Sequence, residues 1–127
     1  MLTHTFCHVP GIGSKTERRL WASGCPSWRE VSEGVSLPLS PGKADQLRDH
    51  IRTSIEHHAE GRPEYFYEHL PSDQHWRMFP DFRDSVAYLD IETTGLGGFG
   101  DYITTIVVYD GESIAHYVQG DNLPDFQ

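Results

Sequence analysis

The chain has 127 residues, 37% of them hydrophobic and 12% aromatic, and a net charge of −9. That is material for one ordinary domain or two small ones with a globular core. No apolar run reaches the length of a membrane span, the start lacks a signal-peptide core, and two cysteines give no disulfide framework, so a cytoplasmic protein without a membrane partner is expected.

Residues 1–10 are mixed polar and apolar without a clear period. His4, Cys7 and His8, with Cys25 later, lack the paired close spacings of a structural zinc site, and a packed Phe6 among bystander polar groups is the expected reading. Gly11, Ile12 and Gly13 form a tight turn. Ser14 and Glu17 after it have capping-box spacing, which predicts a helix from Lys15 to Gly24 with Leu20 and Trp21 inward. A second short helix begins at Pro26, and its Trp28 and Val31 face Leu20 and Trp21. This pair resembles a helix-hairpin-helix motif, whose turn presents backbone N–H groups to a nucleic-acid phosphate. Gly11 and Gly13 would make that approach, with Lys15, Arg18 and Arg19 adding charge for the backbone. The plainer reading is a helical hairpin whose glycines only make the turn.

Residues 34–42 read as a linker, with Ser40 as N-cap and Pro41 at the first helical position. Ala44, Leu47, Ile51 and Ile55 then recur at helical spacing, which predicts an amphipathic helix over 43–60. His57 and His58 suit the dipole at its end. Residues 62–82 are rich in aromatics and cut by Pro71 and Pro80. They predict an arm of short helical pieces packing the long helix against a sheet, with base stacking as the less favoured use of its rings.

From Ser85 the pattern turns to strands. Val86 to Ile91 is a short apolar run interrupted by Asp90 and followed by Glu92, Thr93, Thr94, Gly95 and Leu96. Alternation along a strand puts Asp90 and Glu92 on one face and sends Leu89 and Ile91 into the core. Two adjacent carboxylates repel unless a cation lies between them, and a hard divalent ion such as Mg²⁺ or Mn²⁺ suits oxygen ligands. Residues 103–109 are a β-branched strand, Asp110 and Gly111 a hairpin turn, and 113–119 a third strand.

The stretch from Leu89 to Leu96 resembles the first motif of the DEDD-type 3′–5′ exonucleases of the ribonuclease H-like superfamily, with the YprB-type ribonuclease H-like family the nearest match. The resemblance implies a two-metal hydrolase acting on DNA or RNA 3′ ends. Asp90 would bridge both metals, Glu92 would bind the ion that activates water, and Thr93, Thr94, Gly95 and Leu96 would touch the 3′ nucleotide. Three antiparallel strands, the first bearing the acids, are how such a domain opens.

The resemblance covers two of four acidic ligands, and neither Asp121 nor Asp125 stands in the right context to supply the others. The expectation is therefore an α+β chain in three stretches. A small helix-hairpin-helix-like region spans 1–34; a linker, long helix and aromatic arm span 35–84; the incomplete start of a ribonuclease H-like domain spans 85–127. It would be the amino-terminal part of a longer exonuclease, inactive or nearly so by itself. The alternatives are a non-catalytic nucleic-acid-binding module using the Gly11–Gly13 turn, or an interaction domain that keeps the fold without the site. Charge does not choose among them. Residues 81–127 hold Arg83 against nine acids, which suits a site where cations meet phosphates and equally a soluble surface.

Overall fold

A computed structural model of the chain describes residues 1–95 and 97–126. The fold is α+β: among the described residues, five α-helices precede one three-stranded antiparallel sheet. The chain divides into two compact units, Met1–Arg83 and Asp84–Gln127. No helix among the described residues is long and apolar enough to cross a membrane.

The first unit is helical. Helix α1 spans Ser14–Ala22, and its N-cap is Gly13 rather than Ser14. The capping box expected at Ser14 and Glu17 does not form, because Glu17 turns inward and is 1% exposed. Its carboxylate accepts from the Thr5 hydroxyl (2.8 Å), the Phe6 N–H (2.7 Å) and Arg77 Nη1 (2.9 Å). Gly24, at φ +88°, reverses the chain after α1 so that the Cys25 N–H reaches the Leu20 carbonyl, a turn that favours glycine.

Helix α2, Trp28–Ser32, carries a complete capping box between Ser27 and Glu30. Helix α3, Pro41–Ala59, starts as expected from Ser40 and Pro41. Its inward stripe is Ala44, Leu47, Ile51 and Ser54, whereas Ile55 is 41% exposed. Ser54 displaces Ile55 from that stripe because the hydroxyl satisfies two buried partners, donating to the His50 carbonyl (2.7 Å) and meeting His8 Nε2 (2.9 Å).

The aromatic arm folds as α4 (Pro63–His69), a 3₁₀ stretch (Ser72–Met78) and α5 (Phe79–Phe82). Phe66 and Phe82 from this arm join Leu2, Phe6, Leu20 and Trp28 in one core. Phe66 stacks on Trp28 at 5.8 Å, while Tyr67 and Trp76 stay in solvent. Trp21, expected inward, is also partly exposed. Its indole N–H donates to the His4 carbonyl (3.0 Å) and its ring meets the Arg77 guanidinium at 5.9 Å.

The second unit is the sheet. Strands β1 (Tyr88–Thr93), β2 (Ile103–Tyr109) and β3 (Ile114–Val118) pair in sequence order, all antiparallel. The β2–β3 turn is organised by Asp110, whose carboxylate accepts from the Glu112 and Ser113 N–H groups. Those donors hold its carboxyl below the usual range. On the face carrying Leu89 and Ile91, Tyr117 packs against Phe126 at 5.3 Å. Leu89 and Ile91 were expected in the core; they are 54% and 45% exposed. The reason is thickness: a single sheet layer buries a face only where a second layer covers it. Ile106, on the central strand, is the one buried residue among those described in this unit.

Candidate functional site

Strand β1 pairs in regular register from Tyr88↔Tyr109 to Glu92↔Thr105, then shifts between Glu92 and Thr93 so that Thr93 opposes Ile103. Within the regular part side chains alternate, so Asp90 and Glu92 share one face. Their cross-strand neighbours on that face are Val107 and Thr105, and beyond these on β3 lie His116 and Val118. The extra residue is Thr104 on β2, whose hydroxyl donates to the Glu92 carbonyl (3.1 Å), so the ladder is interrupted opposite the end of the acid pair.

Both carboxylates are exposed, and among the described residues neither pairs with a cation. All ten Lys and Arg residues belong to the helical unit, and the sequence from Asp84 onward carries eight Asp and Glu. Such a one-signed surface attracts cations. Among the described residues no group of three or more His, Cys, Asp or Glu could hold a metal. His116 stands two strands away on the same face, about 10 Å from Asp90 at Cα.

The residues after the acids build the β1–β2 loop. The Thr93 hydroxyl donates to the Gly95 carbonyl. Thr94 exchanges backbone bonds with Tyr102: its N–H donates to the Tyr102 carbonyl (3.0 Å), and its hydroxyl accepts from the Tyr102 N–H (3.1 Å). The loop is closed by a residue that sequence reasoning passed over. The Asp101 carboxylate accepts from the Gly97 and Gly98 N–H groups (3.1 and 2.6 Å). It also lies so close to Gly95 that an added Cβ there would clash with it. The available signal was an acid ending a glycine-rich run, where free amides seek an acceptor. Leu96 lies outside the described residues.

The hairpin residues are in the other unit. Gly11 has φ +77°, which favours glycine, and Ile12 is buried beneath the turn. Gly13 is the N-cap of α1 and supplies no side-chain cap, while its carbonyl accepts from the Thr16 and Glu17 N–H groups. Lys15, Arg18 and Arg19 are all exposed. Arg18 Nε donates to the Ser14 carbonyl (3.3 Å), whereas Arg19 Nη2 donates to the Pro38 carbonyl (2.6 Å). A cavity of about 450 Å³ beside the turn is lined by Gly11 and Gly13 but also by Glu68, whose charge opposes an anion there.

Three of the four thiol and imidazole groups near the amino terminus take separate partners. His4 Nδ1 meets the Pro26 carbonyl, His8 Nε2 meets Ser54, and the Cys25 thiol points to the Ser27 carbonyl. Cys7 and Cys25 are buried free thiols, each pushed up by that burial.

Compared with protein-family models, curated proteins and solved structures, the chain matches none.

Proposed function

We propose that the sheet unit carries part of the metal-binding site of a two-metal 3′–5′ exonuclease acting on nucleic acid. The observation that carries this reading is the placement of Asp90 and Glu92. They share one face of β1, stand in solvent without a protein cation, and lie just before the register shift that precedes the Thr93–Gly95 turn. Their oxygens suit Mg²⁺ or Mn²⁺, which when bound would stabilise the attacking and leaving oxygens of a phosphodiester displacement. Asp90 would bridge the two metals and Glu92 would hold the one that activates water. Thr93, Thr94, Gly95 and Leu96 would meet the 3′ nucleotide. The amide-bonded Asp101 keeps that loop in place.

Two carboxylates fit a hard cation but leave most of an octahedral shell to water, so binding by this chain is weak and its nuclease activity slight. Millimolar Mn²⁺ should therefore broaden the backbone NMR signals of residues 90–94 in the wild-type chain and spare them in Asp90→Asn. Equal broadening in that variant would remove Asp90 from the site. Wherever 3′-end degradation is measurable with Mn²⁺, Asp90→Asn abolishes it.

A second reading has its own observation: the uncapped start of α1 behind Gly13, with Lys15 and Arg18 alongside. Here the chain would bind a nucleic-acid backbone through the helical hairpin. Gly13 sits at φ −99° and an added Cβ meets nothing within 4 Å. Gly13→Val thus blocks a phosphate without straining the fold. It should lower affinity for a single-stranded oligonucleotide several-fold; unaltered affinity would leave the turn purely architectural. Two unpaired buried thiols suit a reducing cytoplasm.

A further inference from the structure

The face of the sheet that carries Asp90 and Glu92 carries a second feature one register step away. Tyr88 and Tyr109 are direct cross-strand partners on that face, with ring centroids 6.0 Å apart and planes inclined by 29°. They are 49% and 41% exposed. Tyr109 is held in place because its hydroxyl donates to the Gly111 carbonyl (2.8 Å) at the β2–β3 turn. Next to it across β2–β3 is Ile114, 69% exposed. Tyr88 and Asp90 are two residues apart along the strand, about 7 Å at Cα. A half-exposed aromatic pair, with Tyr109 anchored at the β2–β3 turn, thus shares one face with the two carboxylates.

We propose that the Tyr88–Tyr109 pair is a stacking platform for a nucleobase of the single strand whose phosphate is met by cations at Asp90 and Glu92. This inference rests on the nuclease reading and names how the same face would hold its substrate. The charge distribution motivates it. With eight acids and no Lys or Arg from Asp84 onward, the unit has no cationic side chain with which to grip a phosphate backbone. Binding strength must then come from bound cations and from surfaces that accept bases. Base–aromatic stacking is tolerant of sequence and operates on the π-face alone. Loss of a hydroxyl would therefore matter little, and loss of a ring would matter much. The competing role for such a pair is simple cross-strand packing, which stabilises the sheet and discriminates no ligand.

The experiment is an NMR titration of the full chain, in millimolar Mn²⁺ at low salt. The two probes are a pentathymidylate and an abasic pentamer with the same number of phosphates. Wild type should bind the thymidylate about ten-fold more tightly than the abasic strand. Tyr88→Leu should bind both strands with the weaker affinity, and Tyr88→Phe, which keeps the ring, should behave as wild type. If the wild type binds the two strands alike while Mn²⁺ still broadens residues 90–94, the platform is wrong and the metal site stands. If base-dependent binding survives without any Mn²⁺ effect at those residues, the metal reading is wrong and the platform stands. A thymidylate preference unchanged in Tyr88→Leu would place the base elsewhere and overturn the proposal.

Discussion

The two units of this chain solve opposite problems. The helical unit, Met1–Arg83, encloses a core in which Leu2, Phe6, Leu20, Trp28, Leu47 and Phe66 are essentially inaccessible, and it contains every Lys and Arg of the protein. Acids and bases nearly balance within it. The sheet unit buries Ile106 among its described residues and holds Asp and Glu but no Lys or Arg. Packing and specific polar contacts hold the first; backbone ladders, turns and one carboxylate-organised loop hold the second. The comparison teaches where each unit's chemistry lies. A tightly enclosed unit spends its polar groups on itself, as Glu17 and Asp81 do. The open sheet leaves Asp90 and Glu92 exposed and Tyr88 and Tyr109 about half-exposed.

The sharpest way to break the first unit is through its buried charge. The Arg77 guanidinium, partly shielded itself, neutralises Glu17 at 2.9 Å, and Glu17 in turn joins α1 to Thr5 and Phe6. Removing one partner of a buried pair leaves an uncompensated charge and costs roughly 3–5 kcal/mol. Arg77→Ala should thus lower the unfolding free energy of the helical unit by that amount, measured by urea titration with tryptophan fluorescence. All three tryptophans (Trp21, Trp28 and Trp76) lie in that unit. The double variant Glu17→Gln, Arg77→Met should recover most of the loss, since no charge is left alone and the amide oxygen still accepts from the Phe6 N–H. Equal instability in both would mean that side-chain shape, not charge, sets the cost. Amide exchange in β1–β3 should be unchanged by either variant if the units are energetically separate.

Acid provides a second, graded probe. Burial against Trp28 and Phe66, with His50 and His69 nearby, pushes His8 down to about 3. An unfolded histidine titrates near 6.5, so below that pH the unfolded state binds the proton that the folded state refuses. His8 therefore contributes stability fully above about 6.5, and this is lost as pH falls toward 3, by about 1.4 kcal/mol per pH unit. Asp81 adds in the same direction at lower pH. Although burial pushes its carboxyl up, the Leu2 N–H, His58 and the terminal amine hold it below the usual range. His8→Phe should flatten the stability of the helical unit between pH 6.5 and 4, as followed by urea midpoints. An unchanged slope would move the acid sensitivity to other histidines.

What was legible in the sequence divides along the same line. Helix α3 declared itself through Ser40, Pro41 and the spacing of Ala44, Leu47 and Ile51; β2 did so through its β-branched run, and the turn after it through Asp110 and Gly111. These signals are local, and local physics decides them. The failures are non-local. Ser14 and Glu17 have capping-box spacing, but Glu17 is claimed by Thr5, 12 residues away, and by Arg77, 60 residues away. Ser54 takes a core position because His8, 46 residues distant, needs its hydroxyl. At the site, alternation put Asp90 and Glu92 on one face, as a strand must. The same alternation separates Leu89 and Ile91 from them, yet says nothing of whether a second layer covers those residues. Asp101 escaped notice because its partners are the backbone amides of its own loop, which no side-chain pattern displays.

The smallest expected effect tests the openness of the sheet directly. Ile91 and Ile106 are cross-strand partners of the same residue type on one face, 45% and 4% exposed. If burial rather than strand membership sets a residue's contribution, the two should differ widely on truncation. Ile106→Ala should cost about 2–5 kcal/mol, the range for a buried isoleucine. Ile91→Thr retains a β-branched side chain suited to a strand and should stay within about 0.5 kcal/mol of wild type. Hydrogen exchange of the β1–β2 ladder amides measures both on the same bonds. A large loss from Ile91→Thr would mean that the Leu89–Ile91 face is covered in solution, and the contrast between an enclosed unit and an open one would fail on that face. The acid-bearing face would keep its exposure whatever that result, because side chains two residues apart on β1 cannot change faces without slipping the whole register.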